Sequence, residues 1–363
     1  MTSIKVFSEI QYGKMGVKNR LVRSATLELA TMPDGELTEE YLAIHQTLAR
    51  GGVGMIITGI TGISKEGRIM PAMPYTMHPD YEKMLLRDVK NIEKENAKLI
   101  VQLCSCGLLS NPSCGKVLAP STAGEAKEMS LWEIDDLIEK YVEAAKVCER
   151  AGAHGIQIHA AHGFLLSQFL SPHFNHREDE YGGSIENRSR ILHQIVTAVK
   201  NAVSPSFAVL VKLNRSDELE DGLCLEDAIE VAKMLEDSGV DGIEISCGLI
   251  GHKAGAPNRP ISTMEEEGYN FEAASRIAEM INVPIFVVGG FRRFSDIESR
   301  LQNSMVAGIS LCRPLVCEPD LPKKWIDDRT YQPKCKSCNQ CFLSNPLQCR
   351  RRYGKNYFRF KGN

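Results

Sequence analysis

At 363 residues, with 43% hydrophobic and 25% charged side chains and a formal net charge of −3, the chain can bury a large globular core. The slight acidity argues against nucleic acid as the main partner, and no apolar stretch approaches the ~20 residues that span a bilayer. Twelve cysteines and an N-terminus without a secretory pattern point to a reducing, cytoplasmic setting, where metal or redox roles are open and a disulfide framework is not expected.

In chain order, eight short apolar runs read as strands. They are "RLVRSA" (20–25), "VGMIITG" (53–59), "KLIVQL" (98–103), "GIQIHA" (155–160), "AVLVKL" (208–213), "GIEIS" (242–246), "PIFVVGG" (284–290) and "MVAGISLC" (305–312). Near-continuous apolar runs of this length suit parallel strands buried on both faces. Amphipathic segments lie between them; 134–152 and 226–240 read as helices, each with a glycine placed for a C-cap. Eight such units match a (β/α)8 TIM barrel, a fold that takes about 250 residues. A doubly wound α/β sheet is the alternative, but no GxGxxG follows the first strand. The expected organisation is one barrel over 1–328 and a short Cys-rich, basic extension over 329–363.

Barrel chemistry sits on the loops after the C-terminal ends of the strands. Those positions hold Ala25 and Thr26, Gly59, Gln102 with Cys104 and Cys106, His159 and His162, Lys212 and Asn214, Ser246 and Cys247, Gly289 and Gly290, and Cys312 and Arg313. Gly289 and Gly290 let backbone N–H groups approach an anion, and Arg313 offers a rigid fork of donors. Together they stand where barrels most often hold a phosphate. Neutral imidazoles at His159 and His162 would polarise a carbonyl or nitro oxygen without adding charge. A structural histidine and a metal-binding His-x-x-His stay open beside that reading, although no carboxylate at ligand spacing supports the metal. Ser184 to Asn187 reads as a helix cap opening the next helix.

The stretch "HAAHGFLLSQFLSPHFNHREDEYGGSIENRSR" (159–190), with "KNRLVRSA", "ARGGVGMIITG", "VQL" and "CRPLVCEPDLP", resembles the old yellow enzyme family of FMN-dependent NADH:flavin oxidoreductases. The likeness covers roughly residues 4–325. It implies that the backbone of Ala25, Thr26 and Gly59 lines a flavin ring, that Gln102 bonds its pyrimidine edge, and that Lys212 lies near N1–C2=O. It further implies that Gly289, Gly290, Cys312 and Arg313 hold the FMN phosphate, and that His159 and His162 bind the oxygen of an electrophilic substrate above the flavin. NAD(P)H would reduce the flavin and leave before the acceptor enters. The partners expected are that small molecule and further copies of the chain in a homo-oligomer.

Three residues depart from the family pattern. Phe164 stands where a tyrosine usually protonates the substrate, and phenylalanine has no hydroxyl to donate. Leu27 replaces a threonine or cysteine that hydrogen-bonds the flavin. Cys104, with Cys106 nearby, occupies a position expected to border the substrate pocket, unless both are ordinary packing residues.

Cys335, Cys338, Cys341 and Cys349 form a C-x2-C-x2-C-x7-C pattern able to hold zinc or an iron–sulfur cluster. Longer relatives carry a four-cysteine iron–sulfur site after the barrel, so the resemblance favours the cluster; four free thiols are the plain alternative. The closing "RRRYGKNYFRFKGN" is basic and aromatic, a composition seen in single-strand binding tails but more simply a segment that packs on the protein. Three function classes follow: a reductase of electrophilic acceptors, a redox module exchanging electrons with a protein through the cysteines, and a flavin-binding subunit with little turnover.

Overall fold

The computed structural model describes residues 4–252 and 257–353, and in it all eight apolar runs become strands of one closed barrel. A hairpin of β1 (Ile10–Tyr12) and β2 (Met15–Val17) precedes it. The barrel strands are β3 (Leu21–Arg23), β4 (Met55–Gly62), β5 (Lys98–Cys104), β8 (Gly155–Ala160), β9 (Ala208–Asn214), β10 (Gly242–Ser246), β11 (Ile285–Val288) and β12 (Gly308–Leu311). Two short strands, β6 (Leu118–Ala119) and β7 (Lys127–Glu128), pair outside the barrel. All barrel neighbours run parallel, and β12 pairs with β3 to close the ring. Closure leaves no sheet edge, which excludes the doubly wound alternative.

The helices are α1 (Glu39–Arg50), α2 (Tyr81–Glu93), α3 (Leu131–Arg150), α4 (Leu165–Leu170), α5 (Ile185–Ala202), α6 (Leu225–Asp237), α7 (Phe271–Ala278), α8 (Phe294–Gln302), α9 (Arg313–Cys317), α10 (Leu321–Asp327) and α11 (Arg350–Tyr353). Helix α3 starts three residues before the expected 134. Ser130 and Glu133 form a reciprocal capping box there and satisfy two backbone donors. The chain leaves α3 through Gly152 at φ +81°, a left-handed conformation that glycine adopts without strain. Ser184 caps α5 by accepting the Asn187 N–H.

Alternate strand residues divide between two cores. Ile156 and Ile158 of β8 face outward and join Tyr141, Ala144, Ile195 and Val199 of the surrounding helices. Val22, Met55, Ile57, Ile100, Leu210 and Phe286 fill the barrel interior, joined by Tyr12, Met15 and Val17 of the hairpin. The hairpin plugs that end, so the C-terminal strand ends form the usable mouth.

Beyond the barrel the chain folds back onto it. The Lys334 N–H donates to Glu318 Oε2 (2.6 Å), the Leu347 N–H to the Glu28 carbonyl (2.8 Å), and Arg352 Nη1 to the Cys317 carbonyl (2.6 Å). Most of the basic, aromatic closing segment lies outside the described residues. Among those described, no helix is long and apolar enough to cross a membrane.

Candidate active site at the barrel mouth

Above the apolar layer the inward positions become polar, and strand register decides which residues meet. Gln102 on β5 stands opposite Gln157 on β8, and Lys212 on β9 opposite Glu244 on β10. Gln102 Nε2 donates to Gln157 Oε1 (2.7 Å), and Gln157 Nε2 donates to Glu244 Oε2 (2.9 Å). Lys212 Nζ reaches the same carboxylate oxygen at 3.2 Å and Ser24 Oγ at 2.9 Å. All five side chains are buried, so each link replaces hydration that the interior cannot supply.

One step higher on β8, His159 lies opposite Lys212. His162 follows in the loop at φ +62°, and its N–H donates to Asn214 Oδ1 (3.3 Å). Its Nε2 lies 2.7 Å from Ser246 Oγ. His159 Nδ1 is buried without a partner among the described residues. Burial, and then the nearby Lys212 cation, hold both imidazoles well below the usual histidine range. Each ring is therefore neutral at physiological pH and offers one N–H donor.

Ser24, Gln102, His159, His162, Lys212 and Ser246 wall a cavity of about 520 Å³. Of the positions singled out in the sequence, Ala25, Thr26, Leu27, Gln102, His159, His162, Phe164, Lys212, Ser246, Gly290, Cys312 and Arg313 line it. Phe164 packs with its ring centroid 4.7 Å from that of His159. Cys312 Sγ is 3.1 Å from Thr26 Oγ1, joining the first and last barrel loops.

Three expected wall residues lie elsewhere. The Gly59 N–H is taken by the buried Glu28 carboxylate, at 3.0 and 3.1 Å, and a Cβ at this position would meet Glu28 Oε2 at 2.3 Å. Glycine is needed there to admit the carboxylate, and Ile60 lines the cavity instead. Cys104 is fully buried in an apolar cluster with Cys106, Met73, Ile60 and Phe164. Burial, then the adjacent Cys106 thiol, pushes its thiol well up, so neither packing nor acidity makes it a wall donor. Gly289 is set back against Asn270, and its carbonyl accepts the Tyr269 N–H. Gly290, at φ +77°, reaches the cavity.

Glu28 belongs to a buried charged cluster behind the Ala25–Leu27 wall. Arg23 Nη2 lies 3.1 Å from Glu28 Oε1, and His45 bridges Glu28 (3.1 Å) to Asp88 (2.6 Å). Arg23 also donates to the carbonyls of Ser24 and Thr26, so the cluster braces the cavity-lining loop.

At the rim, Arg313 Nη1 donates to the carbonyls of Arg259 and Ser337 (both 2.9 Å) and to Asn339 Oδ1 (2.8 Å). One guanidinium thus ties the segment after β10 to the C-terminal extension, and Ser337 and Phe342 of that extension complete the cavity wall.

The sequence pattern of the NADH:flavin oxidoreductase / NADH oxidase family matches residues 5–332, nearly the whole barrel. The chain belongs to this family. It is the flavin oxidoreductase family of old yellow enzyme that the 159–190 stretch resembles. The chain is 28% identical over 345 residues to the NADH oxidase of Thermoanaerobacter brockii, which covers 92% of this chain and 52% of that protein. It is 32% identical over 323 residues to the NADPH dehydrogenase of Bacillus subtilis (strain 168), covering 87% and 92%. Among solved structures, 2-naphthoyl-CoA reductase in its 2-naphthoyl-CoA complex superposes with a TM-score of 0.88 at 24% identity, over 95% of this chain and 56% of that one. The last likeness is one of fold. The chain spans about half the length of the T. brockii relative.

A second cavity of about 220 Å³ lies beyond Arg313. Cys335, Cys338, Cys341 and Cys349 line it, and so does Cys317, at the end of α9. All twelve cysteines are free thiols. Among the described residues, no three His, Cys, Asp or Glu side chains are placed to hold one metal ion. Burial pushes the Cys335 thiol up and that of Cys341 to about 12.

Sequence reasoning passed over Ser24, Gln157, Glu244, Ser310, Cys317 and Phe342. A signal existed for two of them. In "GIQIHA" and "GIEIS" the period of two puts Gln157 two positions below His159 and Glu244 two below Ser246, on the same inward face. Cys317 and Phe342 had none, because only the folding back of the extension brings them to the cavities.

Proposed function

We propose that this family member binds FMN non-covalently at the barrel mouth and passes hydride from NAD(P)H to a small electrophilic acceptor, an enone, quinone or nitro compound. The observation that carries the reading is the pair of uncharged histidines offered to a cavity that also presents an ammonium, an amide and a guanidinium. The residues suit the cofactor. Lys212 and Gln102 present charge and amide groups on the floor, and Gly290 and Arg313 present donors at the phosphate position of a barrel. Among the described residues, the buried His159 Nδ1 and Ser310 Oγ of the cavity wall lack protein partners, as expected where a bound group completes the set.

Bound there, FMN supplies the two-electron carrier between nicotinamide and acceptor. The chain supplies the rest. His159 and His162 donate to the acceptor oxygen and draw charge away from the reacting carbon. Their neutrality keeps the oxygen from being fixed as a full ion pair before reaction. Lys212 attracts the negative charge gained on reduction, in a site with little water to screen it. Phe164 gives no proton, which favours acceptors that need no positioned carbon acid. One cavity serves both nucleotide and acceptor, so turnover is ping-pong. Heat release and chromatography of the cofactor test the reading: FMN is expected, and FAD or no flavin contradicts it.

The cysteine cavity favours an added redox role for the extension. Five thiols line this one cavity, and thiolate is the ligand type an iron–sulfur cluster takes. Arg313 and Arg352 beside them suit an anionic cluster, and Arg313 borders both cavities. Iron and acid-labile sulfide in anaerobically purified protein, with a broad brown shoulder, is the expected result; zinc or neither overturns it.

A further inference from the structure

We propose that Glu244, which does not line the cavity, is a positioning residue that sets the reduction potential of the flavin by holding Lys212 and by fixing the direction of the Gln157–Gln102 relay. The inference rests on the FMN reading above and concerns how this chain tunes that group.

Two features of the geometry point to it. The first is charge. Glu244 Oε2 takes Lys212 Nζ at 3.2 Å in a region where both side chains are buried. A lone ammonium beneath the flavin would strongly favour the reduced, more negative form. With the carboxylate against it, the pair presents a dipole rather than a net charge, and the low local dielectric makes that difference large. The second feature is direction. A carboxylate only accepts, so Gln157 must turn its Nε2 to Glu244 and its Oε1 to Gln102. Gln102 must then donate Nε2 to Gln157. This leaves Gln102 Oε1, which has no protein donor among the described residues, to accept from a ligand in the cavity. The imide N–H of a flavin pyrimidine ring is a donor of the matching kind. Glu244 thus acts on the ligand through both Lys212 and Gln102. Glu244 Oε1 and, from the hairpin beneath, the Tyr12 hydroxyl are buried without partners among the described residues.

The test is an anaerobic redox titration of FMN-loaded wild type and Glu244→Gln, with the affinity of each for oxidised FMN measured alongside. Removing the negative charge while keeping the shape should raise the preference for reduced over oxidised FMN at least tenfold, which is about 30 mV upward for a two-electron couple. Should Glu244→Gln not accumulate as folded protein, Glu244→Asp, which draws the carboxylate back from Lys212, should move the potential upward by less. A rise in either variant supports the proposal. An unchanged or lowered potential overturns it and leaves the FMN reading standing. Wild type that binds no FMN overturns both.

Discussion

The rings of His159 and His162 meet edge to face with centroids 5.2 Å apart, and among the described residues a side chain tethers only the His162 ring, Ser246 Oγ lying 2.7 Å from its Nε2. One ring is held by the barrel, and the other keeps an unpaired nitrogen for a ligand. Replacing both by alanine should abolish the charge-transfer band of phenols with oxidised flavin, because a bound phenolate oxygen loses its donors. Ser246→Ala removes only the tether and should weaken phenol binding by about threefold to tenfold, the worth of one ordinary hydrogen bond. Absorbance titration with a phenol checks both, and unaltered binding in the double variant would show the pair is not the oxygen site.

Neutrality of the pair gives a pH prediction. Burial and then Lys212 hold both imidazoles below the usual range, so neither gains a proton on going from about pH 8 to about pH 6. Affinity for an uncharged enone should be flat across that interval. A binding titration centred near 6.5 would mean that at least one imidazole is exposed to solvent or paired with an acid.

Arg313 serves two structures at once, so its loss should show twice. Arg313→Ala removes the donor proposed for the phosphate and three bonds that tie down Arg259, Ser337 and Asn339. Hydrogen bonds from charged groups contribute about 1.5–3 kcal/mol each, so FMN affinity should fall at least tenfold. Limited proteolysis should also cut the extension faster in the variant. Loss of FMN with unchanged proteolysis would separate the two roles and contradict the shared one.

On the proposed function, Phe164 governs the choice of acceptor. A positioned general acid contributes about 10²–10⁴-fold, and the neighbouring Cys104 and Cys106 are packed away from the cavity wall. Phe164→Tyr should raise enone turnover at least tenfold and barely change flavin reduction by NAD(P)H. Equal enone rates in the two proteins would show that another group already supplies the proton.

The brace behind the Ala25–Leu27 wall predicts a pH-dependent stability. Burial alone lowers the His45 pKa, but Asp88 and Glu28 outweigh it and raise the value from 6.5 to about 9. A raised folded-state pKa contributes stability that is complete below the unfolded value and is lost as pH rises through the folded one. Urea unfolding should therefore show stability falling between about pH 6.5 and about pH 9, and His45→Gln should flatten that slope. A slope of the same size in the variant would assign it to other groups.

The barrel was legible because parallel strands buried on both faces leave continuous apolar runs, and all eight appear as strands. Their limits were less so. The run 20–25 shortens to Leu21–Arg23 because Ser24 to Leu27 leave the barrel to wall the cavity. The run 53–59 extends to Gly62 through an irregularity between Ile57 and Ile60. In the site, His159, His162, Gln102, Lys212 and Arg313 were readable from their places at strand ends. Gly59 was misleading because a strand-end position does not say where a backbone N–H points, and Glu28, 31 residues away, claims it. For Glu244 the period of two in "GIEIS" signals an inward face, but its partner Lys212 emerges only with the strand register.

Anaerobic stopped-flow mixing of the FMN-loaded protein with NADH and with NADPH tests the central claim most directly. At least one nucleotide should bleach the visible flavin absorbance, and a quinone or nitro compound added to the reduced protein should restore it faster than an enone does. Flavin that neither nucleotide bleaches, in protein that holds FMN, would contradict the account.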